Sequence, residues 1–450
     1  MSKFIETLKN IWNIKELRER ILYTLALLGV FRLGSYIILP GVDAALLEAQ
    51  TAGAGGSADL LGLINIFTGG AFSNAAIFAL GIMPYITASI IVQLLGFAMP
   101  YFQRLQQKEG ESGRRKLTQI TRWLTVMITL VQGGAYLKYI FGLNVVSPEI
   151  SNGVFWITNI VILSAGTIFA MWLGERITEK GIGNGVSLLI TVGIIAALPG
   201  AFVSEAISAS ILIFVVELAL LFVVVLITVA IVQAVRKVPI QFAKRMVGRA
   251  SGAAPLAGKR DYIPIKVNAA GVMPIIFAQA IMFLPATVAQ MAGGDMTNPI
   301  IQQLTNPFSF LTSVIAFFLV VIFTYVYTAL IVNPQQYAEY LKRQNAFIPG
   351  IKPGKTTAEF IDIVTTRVTL PGSVFLGLIT ILPAVAVAFG VNQGFALFFG
   401  GTSLLILVAV VLDTLQQIES YLLMRKYDGL VKSGRIKGRS SGVQEIGASM

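Results

Sequence analysis

Neither cysteine nor histidine occurs anywhere in the 450 residues. Their absence removes disulfides, thiol nucleophiles, zinc sites of the Cys/His kind and the commonest general base. Charge is scarce as well: Asp, Glu, Lys and Arg make up 12% of the chain, against about 25% in soluble domains. Together these shortages argue against a hydrolase of the ordinary soluble type. The chain is not short of apolar residues, which make up 55% of it, so the deficit is not that of a disordered protein. Such a composition arises when most of the length sits in hydrocarbon. The first 20 residues, MSKFIETLKNIWNIKELRER, lack the apolar stretch and small-residue cleavage site of a secretory leader. They read as an amphipathic cytoplasmic helix lying on the membrane surface.

Crossing hydrocarbon takes roughly 20 mainly apolar residues. Ten stretches qualify: 21–39, 73–98, 119–138, 153–173, 182–202, 210–235, 268–290, 309–332, 371–390 and 394–416. The flanking charges test that count, because Lys and Arg concentrate on the cytoplasmic side. With the N-terminus inside, the segments 1–20, 99–122, 174–184, 236–266, 333–370 and 417–450 hold 32 of the 34 basic residues. Arg32 and Lys138 are the remaining two, and the outer loops carry Asp43, Glu48, Asp59, Glu149, Glu205 and Asp295. One missed span would scramble this asymmetry. The predicted fold class is an all-α polytopic membrane protein with ten transmembrane helices. They divide into an N-terminal half (21–202) and a C-terminal half (210–416) of five helices each, running in opposite senses. A basic cytoplasmic tail follows over 417–450. Inverted halves are a transporter and channel layout with the working site between them. No residue-level repeat links the halves.

Four irregularities carry information. The apolar piece 60–67 (LLGLINIF) is too short to span and ends at Thr68-Gly69-Gly70. It is either an amphipathic piece resting at the outer interface or a re-entrant helix buried among the spans, since irregular backbone at membrane depth requires protein or a cavity around it. A re-entrant helix on a glycine hinge would be a movable stopper. Ionisable residues inside the spans are few: Arg32, Glu217 and Asp413, none of them central. Ion-coupled pumps place acids or bases near mid-membrane, so these three read as paired or snorkelling groups. Ile82 and Ile86 on the second span, and Val186 and Ile190 on the fifth, are aliphatic pairs spaced to share a helix face; by itself such spacing mostly marks ordinary helix packing or lipid contact. The loops 236–266 and 333–370 are long, and the first holds eight basic residues against Asp261. They suit topology and anionic headgroups, or a docking surface for a large acidic or RNA-rich partner.

The string Gly350-Ile-Lys-Pro-Gly354-Lys355-Thr356 ends like a phosphate-binding loop, but Pro349 stands where the first glycine belongs and no strand is expected before it. GIGNG (181–185) lacks the third glycine of a dinucleotide motif. No nucleotide or other cofactor is predicted, no catalytic constellation is found, and energy must come from a partner.

Several unusual strings occur in order: INIFTGGAFSNAAIFALGIMPYITASIIVQLL (64–95), KEGESGRRKLTQITR (108–122), GIGNGVSLLI (181–190), PIQFAKR (239–245), IPIKVNAAGVMPIIFA (263–278), PGIKPGKTTAEFI (349–361) and FFGGTSLLI (398–406). Over essentially its full length the chain resembles the SecY family, the channel subunits of the bacterial Sec protein translocase. The resemblance implies two five-helix halves closing like a clamshell around an hourglass pore. Its constriction would be an aliphatic ring of Ile82, Ile86, Val186, Ile190, Ile276 and Ile406. A narrow apolar collar holds water poorly and opposes ion leak, and it offers no hydrogen bonds by which to grip a passing chain.

The plug of that family corresponds to 60–72, with Leu61, Leu63, Ile64, Ile66, Phe67, Gly69 and Gly70 as its candidate residues. A lateral gate toward lipid is implied between helices two and three on one side and seven and eight on the other. Thr87, Gln93 and Gln279 are candidates for that seam, although isolated satisfied amides explain the glutamines almost as well. The two basic loops match the docking site for the ribosome and the motor ATPase SecA, with Arg236, Lys237, Lys244, Arg245, Arg249, Lys352 and Lys355 as candidate contacts. Lys352 stands where many members carry arginine, which keeps the charge but loses the bidentate fork. The implied partners are SecE, SecG, SecA, the ribosome, signal sequences, unfolded preproteins and membrane lipid. A secondary transporter of a small solute is the rival reading, and the lack of a central acid or lysine counts against it.

Overall fold

The computed structural model describes residues 12, 14–53, 60–107, 109–148, 150–242, 260–279, 281–282, 303 and 306–432. Helices dominate. In chain order they are α1 (Lys15–Gly34), α2 (Ala44–Gly53), α3 (Leu60–Phe67), α4 (Met83–Ala98), α5 (Pro100–Gln107), α6 (Gly110–Gly142), α7 (Asn152–Lys180), α8 (Gly185–Ser208) and α9 (Ile211–Val232). After two strands come α10 (273–279), α11 (Phe310–Ile331), α12 (Pro334–Arg343), α13 (Lys355–Ala388), α14 (Gln393–Ala396) and α15 (Gly401–Lys432). Among the described residues seven helices are long and apolar enough to cross a membrane. Their starts follow local chemistry. The side chains of Asn184, Ser210, Ser309 and Asn333 accept from the third backbone N–H ahead at α8, α9, α11 and α12, each satisfying an otherwise orphaned donor.

Several helices run well past the predicted spans. The third begins at Gly110, the fourth continues to Lys180, the ninth begins at Lys355 and the tenth reaches Lys432. Hydropathy marks only the part of a helix in hydrocarbon, whereas the charged extensions are laced by pairs such as Arg115–Glu111 at 2.7 Å. At the other end, α1 crosses the expected boundary at residue 20 without a break. The seventh span is described only in its first part, and the rest of 268–290 lies outside the described residues.

The second span is not one helix. Helix begins only at Met83, with Pro84 in its first turn, and residues 68–82 fold as successive buried turns. Positive φ at Gly69, Gly70, Ala75 and Gly81 rules out a regular helix there. Its backbone groups find partners inside the protein, as membrane depth demands. Leu39 N–H donates to the Ala75 carbonyl at 2.8 Å, and Ile77 N–H to that of Ile37 at 2.9 Å. The Tyr136 hydroxyl donates to the Phe72 carbonyl at 2.7 Å.

A small sheet accompanies the helices where the sequence indicated only loops. β1 (Val235–Phe242) pairs antiparallel with β2 (Arg260–Lys266), from Val235 opposite Lys266 to Gln241 opposite Arg260. Its far end pairs with β3 (Ala346–Phe347), so the order is β2-β1-β3. Pro239 is tolerated in the middle strand because β3 reaches only Gln241 and Phe242, leaving β1 an edge beside the proline. Val238, Ile240 and Ile265 turn inward onto Leu341, Ile348 and Ile361. The two long loops are thus one folded unit. The sheet also supplies a strand before Gly350–Thr356, contrary to expectation. The phosphate-loop reading still fails on its glycine spacing, and the Lys355 side chain is 92% exposed beside Glu359.

Candidate pore, stopper and gate

The six predicted ring residues fall within one hydrophobic cluster, but not in one orientation. Ile82, Ile86, Ile190 and Ile406 are buried in it, and Val186 and Ile276 pack against it. Four of them, Ile86 of α4, Ile190 of α8, Ile276 of α10 and Ile406 of α15, line a single narrow cavity. Each half of the chain supplies two. Ile82 and Val186 turn instead to α7, where the missing side chain of Gly174 makes room. A Cβ at Gly174 would meet Val186 Cγ2 at 3.3 Å and Ile82 Cδ1 at 3.4 Å. The i,i+4 argument for Ile82 and Ile86 assumed a helix through both, yet Ile82 is only the residue before α4.

Phe67, the last residue of α3, also lines the cavity. Ile66, Phe67 and Thr68 are all under a tenth exposed, and Ile64 is half-buried. The side chains of Leu61 and Leu63 lie outside the described residues. Helix α3 ends in a tight turn, with Gly69 N–H donating to the Ile66 carbonyl at 3.1 Å and Gly70 N–H to that of Asn65 at 2.8 Å. This double bond around a left-handed glycine is a Schellman cap. The supposed hinge is therefore a bonded corner. It seats on α8 at Gly193, where a Cβ would lie 2.5 Å from the Phe67 carbonyl oxygen and 3.0 Å from the Gly69 nitrogen.

Thr87 and Gln279 face the same cavity, on opposite halves. Gln93 does not join them: its amide donates to the Ser89 hydroxyl on its own helix at 3.2 Å. Met83 and Thr402 complete the lining, and sequence reasoning missed both. The signal for Met83 was the following Pro84, which fixes the start of α4 and so turns Met83 inward. The lining holds no charged group. Glu217 is buried but sits on α9, away from the cavity lining, and Asp413 is exposed.

Of the docking candidates, Arg236 and Lys237 are exposed on β1, with Lys237 Nζ 4.8 Å above the Tyr262 ring. Lys352 is exposed on the turn beyond β3 and Lys355 at the start of α13. The β1–β3 pairing brings these two basic stretches onto one small unit. Lys244, Arg245 and Arg249 lie outside the described residues.

Membrane-crossing helices in two halves, meeting at an uncharged, largely aliphatic cavity with the short helix α3 at its wall, define a channel-type membrane protein. Comparison with known proteins agrees. A family model described as SecY matches residues 76–415. The protein translocase subunit SecY of Streptomyces galbus is 43% identical, covering 93% of this chain and 97% of its own length. Its counterpart in Chlamydia muridarum is 39% identical, with 96% and 99% covered. Among solved structures, a protein-conducting channel superposes with a TM-score of 0.61 at 18% identity, covering 92% of this chain and 94% of that one. Sec61 in the canine ribosome–channel complex gives 0.57 at 16%, with the same coverage. At such identity the structures speak for the fold alone. The chain belongs to the SecY family.

Proposed function

We propose that this chain is the pore-forming subunit of a protein translocase. Unfolded preproteins pass through it across the cytoplasmic membrane, and apolar segments leave it sideways into lipid. The single observation that carries this reading is the convergence of Ile86, Ile190, Ile276 and Ile406, one from each of four elements, on one cavity with Phe67 at its wall. A constriction of branched aliphatic side chains dewets and so resists ion flow. Its lining holds no charged group for ion coupling, which weighs against a secondary transporter.

Ile82 and Val186 belong to the support of this ring, as Gly174 receives them. Helix α3 with Gly69 and Gly70 is its stopper. Thr87 and Gln279, facing one another from the two halves, form the polar part of the lateral seam. Interhelical polar contacts in membranes are worth only roughly 0.6–2 kcal/mol each, weak enough for a seam that must open. Gln93, satisfied on its own helix, contributes less.

The sheet unit with Arg236, Lys237, Lys352 and Lys355, joined by Lys244, Arg245 and Arg249, is the docking surface for the ribosome and for a SecA-type motor. SecE- and SecG-type subunits flank the channel. The chain contributes no catalysis of its own, and the motor or ribosome drives transport. Both termini are cytoplasmic, as the 32 basic residues on one side require. Reconstitution with SecE, motor and ATP tests the whole reading: a signal-bearing preprotein becomes protease-protected inside vesicles. Preprotein that remains fully accessible would overturn it. In the same assay, charge reversal at Lys352 or Arg245 lowers motor- or ribosome-dependent transport while the channel still inserts into membrane. Wild-type transport by these variants removes the docking assignment.

A further inference from the structure

Arg32 has no part in the function argued so far, yet it carries a fixed charge within the first span. Among the described residues it forms no ion pair. Its Nη1 donates to the backbone carbonyl of Gly69, in the corner that closes α3, and its Nη2 donates to the Tyr36 hydroxyl at 2.7 Å. The guanidinium lies 4.8 Å over the Tyr36 ring, so Tyr36, one turn further along the chain, holds it by both hydroxyl and ring face. The absence of a side chain at Gly69 matters to this contact: a Cβ there would come within 2.7 Å of Arg32 Nη1. The corner is thus gripped from two sides, by Arg32 in the last turn of α1 and by the side-chain-free surface of Gly193 on α8.

We infer that Arg32 is a positioning residue that latches the stopper in its seat, acting through the Gly69 carbonyl, with Tyr36 orienting the guanidinium. The proposal rests on reading α3 as the stopper. The chemistry suits the task. The Schellman bonds use the carbonyls of Asn65 and Ile66 and not that of Gly69, which is left to accept from a partner. A hydrogen bond from a charged donor is strong where water is scarce, yet a single such bond can be broken when a substrate displaces the corner. Once α3 has moved away, the guanidinium still has Tyr36 as a partner, so the open state does not leave a bare charge at membrane depth.

The absence of native cysteine makes the test direct. A single cysteine at Asn65 reports exposure of the stopper to a membrane-impermeant maleimide added from the outer side. A cysteine at the exposed Ser204 serves as the reference for overall folding. In the reconstituted complex, Arg32→Gln raises the labelling rate at position 65 by about tenfold, the change expected for losing one charge-assisted hydrogen bond, and leaves position 204 unchanged. Arg32→Lys, which keeps one charged donor, restores most of the protection, and Tyr36→Phe gives an intermediate rate. Unchanged labelling at 65 in Arg32→Gln overturns the latch. Should that variant fail to accumulate, wild-type labelling in Tyr36→Phe overturns it equally. Resting ion conductance separates this outcome from the parent reading: faster labelling without any rise in conductance means that Arg32 holds α3 but that α3 is not the stopper.

Discussion

Residues 68–82 and helix α9 both lie at membrane depth, and they solve that environment in opposite ways. Helix α9 is a straight run of Ile, Leu, Val and Phe in which Glu217 and Thr228 are the buried residues and the apolar face looks outward. Leu220 and Phe222 are 53% and 64% exposed, an arrangement that lipid favours and water would not. The segment 68–82 has no regular structure at all, yet Thr68, Ala71, Ala75, Ala76 and Ala79 are all but completely buried. Its backbone is bonded to α1, to the α1–α2 connection and to Tyr136. The first kind of segment needs only apolar residues in sufficient number. The second needs particular residues at particular places, and the residues on either side of it, Phe67 and Met83, line the cavity.

The contrast is broken or sharpened by three substitutions. The largest effect falls at Gly193, where the clash would be with backbone atoms of Phe67 and Gly69 rather than with a side chain that could swing aside. Gly193→Val overpacks the stopper's seat by about 1–3 kcal/mol, and resting conductance in a planar bilayer rises roughly tenfold or more. Unchanged conductance would show that the seat is not specific. Next comes the ring. Ile190→Asn, at a site 3% exposed in the cavity wall, wets the constriction, giving a several-fold rise in ion leak and export of preproteins with weakened signals. Export stringency equal to wild type counts against the ring. The smallest effect is expected on α9: Leu220→Ala shifts thermal unfolding in detergent by no more than about 0.5 kcal/mol in stability and leaves transport intact. A large loss there would mean that this face meets a protein partner rather than lipid.

Much of the architecture was readable in advance because hydropathy and charge asymmetry report on lipid contact, and lipid contact is what most of the chain has. The two halves and the short apolar piece at 60–67 came from that signal. What escaped depends on geometry that hydropathy does not encode. The turns over 68–82 are as apolar as a helix would be, and only the glycines and Pro84 marked where the helix begins. The resemblance puts Ile82 in the ring, but with α4 starting one residue later its side chain packs toward Gly174. The sheet was hidden because its strands alternate apolar residues with Lys, Arg and Pro inside loops already explained by topology. Val238 and Ile240, each two residues from the next inward position, were the available clue.

One property of that sheet reaches beyond docking. Only residues 267–272 separate the end of β2 from α10, which carries Ile276 and Gln279. The connection is stiff: Val267 N–H donates to the Ala234 carbonyl at 3.0 Å, and Gly372 of α13 lets its helix press close against the Val267 carbonyl. Torque applied to the sheet therefore has a short, well-braced lever to the element whose Ile276 and Gln279 line the cavity. A machine bound outside the membrane could work the barrier mechanically without entering the conduit itself.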